Sequence, residues 1–120
     1  MLRKSSSSVR IYYPKLDREK LVSLLREKAR DLSREFPIRL IVLFGSYATG
    51  RYTAASDVDV LAVVSGGNKD ELYHKIHDGL GISNLQLHLY TLDEYERLKE
   101  RGSPFAREAE EKGIIIFKAY

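Results

Sequence analysis

The chain has 120 residues, of which 43% are apolar and 31% charged, with no cysteine, no tryptophan and a formal net charge of +3. This composition fits one globular domain with a real core and is too short for two. It excludes a disulfide framework, a thiol nucleophile and a thiolate metal site, so any metal must rest on oxygen or histidine.

No apolar run exceeds five residues, Leu40–Phe44 being one, against the roughly 20 needed to cross a bilayer. No membrane span is expected. The basic opening MLRKSSSSVR turns to serine where a secretory signal requires an apolar stretch, which points to a cytoplasmic protein. Charge is uneven: residues 1–39 hold 11 Lys/Arg against 5 Asp/Glu, and residues 40–120 hold 9 against 12. A solvated helix explains the basic excess more simply than nucleic acid does, because the cations are not interleaved with aromatics.

In chain order, residues 1–8 read as a flexible tail and residues 9–120 as a single domain. Val9–Tyr13 reads as a short edge strand or extended arm stopped by Pro14. Asp17 is an N-cap for a helix running to Phe36, with Leu21, Leu25, Leu32 and Phe36 near one face and Pro37 ending it. Ile38–Phe44 is a branched and aromatic run suited to a strand buried on both faces, and Gly45-Ser46 breaks it.

Asp57–Val64 is a second central strand whose only charges are two aspartates near its start. After the turn cluster Ser65-Gly66-Gly67-Asn68, a helix is predicted from about Lys69 to Leu80, with a break at Gly81. Leu85–Tyr90 alternates, placing Leu85, Leu87 and Leu89 on one face and Gln86, His88 and Tyr90 on the other. Thr91 and Glu94 form a capping box for a helix from Leu92 to near Gly102. Ser103-Pro104 opens another helix, which Gly113 closes, and Ile114–Phe117 is a last short strand or a docked apolar tail. The pattern predicts a small α/β (α+β) sheet with helices packed against it.

The chemistry concentrates in residues 43–64, LFGSYATGRYTAASDVDVLAVV. Residues two apart on a strand share a face, so Asp57 and Asp59 project together, about 7 Å apart along the backbone, while Val58 and Val60 point into the core. Such a pair suits Mg²⁺, which accepts a few carboxylates and completes its shell with water and phosphate oxygens. Gly45 lets the chain turn off the first strand and approach a phosphate closely, and the Ser46 hydroxyl is a donor to phosphate oxygens. Taken singly, a Gly-Ser is a turn and an Asp-x-Asp a solvated pair. Together, at the ends of adjacent strands, they indicate a metal-phosphate site.

This segment resembles the nucleotidyltransferases of the DNA polymerase β-like superfamily, and within it the small stand-alone minimal nucleotidyltransferases. The matching residues are Gly45 and Ser46, Gly50 and Arg51, and Ser56-Asp57-Val58-Asp59-Val60, with ten residues between Ser46 and Asp57. The close match covers about residues 40–64. The resemblance implies the nucleotidyltransferase fold, a mixed sheet with helices on one side. It also implies transfer of a nucleoside monophosphate from a nucleoside triphosphate, ATP here, to a hydroxyl, with release of pyrophosphate. Carried over, Asp57 and Asp59 are the Mg²⁺ ligands and so the catalytic residues, Gly45 and Ser46 hold the β and γ phosphates, and Arg51 either contacts phosphate or fixes the loop.

One departure stands out. The family's third carboxylate comes from a strand beside the Asp-x-Asp strand, and here Gln86 occupies the expected place. An amide ligates metal weakly and does not accept a proton at neutral pH. His88, on the same face, could act as a base or be structural. Asp78, Asp93 and Glu94 are the fallback acids, Glu94 already serving a cap. His74 and His77, three apart on a helix, lack a nearby third ligand.

About 120 residues leave no room for a domain that grips an acceptor. The resemblance therefore implies a partner: minimal nucleotidyltransferases pair with a small helical HEPN protein, a toxin ribonuclease that they neutralise by binding it and adenylylating a tyrosine. The leading expectation is that enzyme and antitoxin role. The alternatives are a catalytically weak nucleotide- or protein-binding module, and a small-molecule adenylyltransferase working as a homodimer.

Overall fold

The computed structural model describes residues 17–53 and 55–119, so the expected tail and the Val9–Tyr13 arm lie outside the described residues. The chain runs α1 (Arg18–Ser33), β1 (Ile38–Phe44), α2 (Ser46–Thr49), β2 (Val58–Val64), α3 (Lys69–Leu80), β3 (Leu85–Thr91), α4 (Leu92–Glu100), α5 (Pro104–Lys112) and β4 (Ile114–Lys118). The strands form one mixed sheet in the order β3-β2-β1-β4. β1 is antiparallel to both β2 and β4, whereas β2 and β3 are parallel, joined through α3.

The expected caps form. The Asp17 side chain accepts from the Lys20 amide at α1, and Asn68 does the same for Glu71 at α3. At α4 the Thr91 hydroxyl accepts from the Glu94 amide at 3.1 Å while Glu94 Oε1 accepts from the Thr91 amide at 2.9 Å. Ser103 caps α5 with Pro104 at its first position. α1 ends at Ser33 rather than Phe36, its last carbonyls being taken by the turn over residues 34–36. Ile114–Lys118 resolves as a strand, paired with β1 along its length.

Helices cover both faces of the sheet, not the single face implied by the resemblance. On one face α1 and α3 bury Leu25, Ile76 and Leu80 against Ile41, Leu43, Val60, Ala62 and Leu87. On the other, Tyr95 of α4 and Ala106 and Ala109 of α5 pack on Val42, Phe44, Leu61 and Val63. The cause is compositional. β1 and β2 are apolar at odd and even positions alike, so an uncovered face would leave Val42, Phe44, Leu61 and Val63 in water, at about 25 cal/mol per Å² of apolar surface.

Candidate active site

The site forms where β1 ends beside the start of β2. Phe44 pairs with Asp59 across the antiparallel ladder, so the residue after Phe44 leaves the sheet against the Asp59 carboxylate. That residue is Gly45, with φ 77° and ψ −150°. A Cβ on it would lie 2.6 Å from Asp59 Oδ2, well inside contact distance, so only glycine seats the carboxylate against the turn. The turn continues as one helical turn, α2, whose Ala48 and Thr49 amides both donate to the Gly45 carbonyl at 3.1 Å. Ser46 is half-buried at its start.

Asp57 precedes β2 and is exposed, whereas Asp59 is half-buried on the strand. Val58 and Val60 face the α1/α3 core as expected. The parallel register sets Gln86 directly beside Asp59 and His88 beside Leu61. Gln86 is exposed. His88 reaches back along the face, placing Nε2 3.7 Å from Asp59 Oδ1. Its ring is held edge-on to Phe44 at 5.2 Å and tilted against Phe105 of α5 at 5.4 Å.

Burial pushes the Asp59 carboxyl above the ordinary 3.8 of an aspartate. The charge and hydrogen bonding of His88 pull it back, and the charges of Asp57 and then Glu108 push it up again. Two residues of α5 that sequence reading passed over therefore shape the site: Phe105 braces His88, and Glu108, one helical turn on, adds negative potential. Nothing local marked them, because their helix reads as an ordinary amphipathic segment.

The other candidates lie elsewhere. Asp93 pairs with Arg97 and Glu94 with Lys69, both at the far end of β3 from Gln86. Asp78 is on α3, which packs against the opposite face. His74 and His77 lie against the Tyr73 ring at centroid distances of 5.8 and 5.9 Å. Arg51 is exposed, and its amide donates to the Ser46 carbonyl at 2.9 Å, closing the turn.

Among the described residues no three His, Asp or Glu side chains group as a metal cluster. A hard divalent cation fits the two carboxylates nonetheless, since water and phosphate oxygens complete the shell of Mg²⁺ in nucleotide sites. A cation there would also offset the desolvation and mutual repulsion that hold Asp59 high. Among the described residues no helix is long and apolar enough to cross a membrane.

Comparison with known proteins agrees with the fold. Residues 25–116 match the family model described as "Nucleotidyltransferase domain". A candidate nucleotidyltransferase from Sulfolobus solfataricus superposes with a TM-score of 0.59 at 20% identity, over 84% of this chain and 83% of that one, a likeness of fold. A toxin-antitoxin structure with AMP-PNP gives a TM-score of 0.49 at 22% identity, over 87% and 75% of the two chains. The complex of a tri-AMPylated Shewanella oneidensis HEPN toxin with its MNT antitoxin gives 0.37 at 20%, over 85% and 70%. No curated protein sequence matches.

Proposed function

Because this chain belongs to the nucleotidyltransferase domain family, we propose that it transfers AMP from Mg-ATP to a hydroxyl, the acceptor being a tyrosine of a small helical HEPN-type partner. One observation supports the reading: the Asp59 carboxylate is seated against the Gly45 turn and feels the charge of Asp57, which is where a metal-holding pair and a phosphate turn would meet at one strand mouth. In the reaction the acceptor oxygen bonds to the α-phosphorus as the bond from that phosphorus to the bridging oxygen breaks. Pyrophosphate leaves with the electron pair, and the hydroxyl proton passes to a base. Asp57 and Asp59 hold Mg²⁺, which when bound stabilises the charge developing on the phosphate oxygens. Gly45 and Ser46 receive the β and γ phosphates, with Arg51 at the loop's outer side. The partner assignment follows the sequence resemblance.

The test is intact mass spectrometry of the chain co-expressed with a HEPN-type protein. The expected result is a stable complex whose partner gains one or more AMP masses with ATP and Mg²⁺, and gains none with the Asp57→Asn, Asp59→Asn variant. A complex with no mass change would overturn the transferase role and favour a binding module. No complex would overturn the partner and favour a small-molecule acceptor.

The binding-module reading draws on Gln86, which lies in register with Asp59 where a third carboxylate is expected. Gln86→Glu supplies an ionised oxygen at that place. It is expected to raise the transfer rate roughly ten- to hundredfold, toward the lower range of a positioned general base. Single-turnover rates with either acceptor check this, and an unchanged rate would show that the position does not serve as the base.

A further inference from the structure

We propose that Arg18 and Tyr52 form a clasp that holds the Gly45–Arg51 turn in place for nucleotide, making the start of α1 a positioning element of the active site. The inference rests on the nucleotide reading above but uses residues that reading does not. Arg18 lies outside residues 25–116, the part of the chain that matches the family model.

The clasp is reciprocal. Arg18 Nη1 donates to the Ala48 carbonyl in α2 at 2.7 Å, and the Arg18 amide at the start of α1 donates to the Tyr52 hydroxyl at 3.2 Å. Each bond satisfies a group that a helix end leaves orphaned, a first-turn amide of α1 and a last-turn carbonyl of α2. The 2.7 Å bond is charge-assisted and correspondingly strong. Tyr52 in turn stacks on the buried Tyr47 ring at 4.3 Å, 8° from parallel, so the hydroxyl that receives the α1 amide is fixed to the core of the turn.

Local preference does not account for Arg18. A cation at a helix N-terminus opposes the helix dipole, and the favoured residues there are acidic. The guanidinium instead meets the negative end of α2, across 30 residues of sequence. A four-residue helix has too few internal bonds to hold its own geometry. The turn must nevertheless keep Gly45 seated on Asp59, and the bond from α1 supplies that restraint.

The test compares Arg18→Ala, Arg18→Lys, Tyr52→Phe and a control, Arg26→Ala. Arg26 is also on α1, and its Nη2 donates to a backbone carbonyl, that of Ile115, at 3.0 Å, away from the turn. Hydrogen exchange reads the clasp without any nucleotide. The Ala48, Thr49 and Arg51 amides are expected to exchange about tenfold faster in Arg18→Ala, with Val60–Val64 unchanged, in keeping with loss of one charge-assisted bond. Calorimetry with Mg-ATP, well below the unfolding temperature, reads the consequence. Arg18→Ala is expected to bind about tenfold more weakly, Tyr52→Phe to weaken in the same direction, Arg18→Lys to recover part of the loss, and Arg26→Ala to match wild type.

Unchanged exchange at the turn would overturn the clasp. Faster exchange with unchanged Mg-ATP affinity would overturn its positioning role, and so would an equal loss in Arg26→Ala. A wild-type chain that binds no Mg-ATP would overturn the functional reading instead, leaving the exchange data to judge the clasp.

Discussion

Replacing Asp59 with asparagine is expected to abolish Mg²⁺-dependent ATP binding and, in the same variant, to raise the melting temperature of the metal-free protein at neutral pH. The first effect follows from the loss of an anionic metal ligand. Altering groups that merely support a ligand costs 10–100-fold in metal affinity, so removing the ligand should cost about 100-fold or more. The second follows from the environment of the carboxyl. Burial is the largest influence on Asp59 and raises it above 3.8, with His88 offsetting only part.

A carboxyl raised in the folded state favours folding while protonated and loses that advantage as pH rises from the unfolded value through the folded one. At pH 7 the wild-type fold therefore carries an ionised group it would hold more readily neutral, whereas asparagine is neutral at every pH. The melting temperature of Asp59→Asn should exceed wild type at pH 7 and converge with it near pH 3, measured in chelator. A lower melting temperature at pH 7 would mean that the His88 contact outweighs the desolvation. Asp57→Asn should weaken Mg-ATP binding similarly while changing stability less, since Asp57 is exposed before the strand begins.

What could be read from the residues alone divides along a physical line. The alternation of Leu85, Leu87 and Leu89 marks β3, the Thr91-Glu94 pair marks the start of α4, and the spacing of Gly45-Ser46 from Asp57-Val58-Asp59 marks the site, because each is a local pattern. The resemblance places Gln86 at the third-carboxylate position, and the parallel register sets it directly beside Asp59, a long-range pairing that local pattern alone does not fix. The one-turn helix α2 left no periodic signal, since four residues are too few to show one.

Phe105, Glu108 and Arg18 were illegible for another reason. Their roles depend on where α5 and α1 come to rest: Phe105 touches Phe44 and His88 across more than fifteen residues of sequence, and Arg18 meets Ala48 across 30. The two-sided cover of the sheet was implicit in the continuous apolar runs of β1 and β2, which need shelter on both faces, even though the family resemblance suggested one.

Gly45→Ala is the second substitution expected to act strongly, and it separates the two demands placed on that residue. At φ 77° and ψ −150° the backbone occupies a region that L-residues with a Cβ scarcely visit, costing on the order of 1–3 kcal/mol. The methyl would also lie 2.6 Å from Asp59 Oδ2 and 3.3 Å from its carboxyl carbon, so either the turn or the carboxylate must move. Gly50→Ala is the contrast: its φ of 84° with ψ of 9° is left-handed helical, and a Cβ there meets only Arg18 Nη1 at 3.9 Å.

Gly50→Ala should therefore cost about 1 kcal/mol of backbone strain and little binding, whereas Gly45→Ala should lower the melting temperature by more and remove Mg-ATP binding. A double-mutant cycle with Asp59→Ala isolates the collision, because truncating Asp59 removes Oδ2 and leaves the strain. The destabilisation by Gly45→Ala should shrink in the Asp59→Ala background. Additive losses would show that the glycine is required for its backbone angles alone and not to seat the carboxylate.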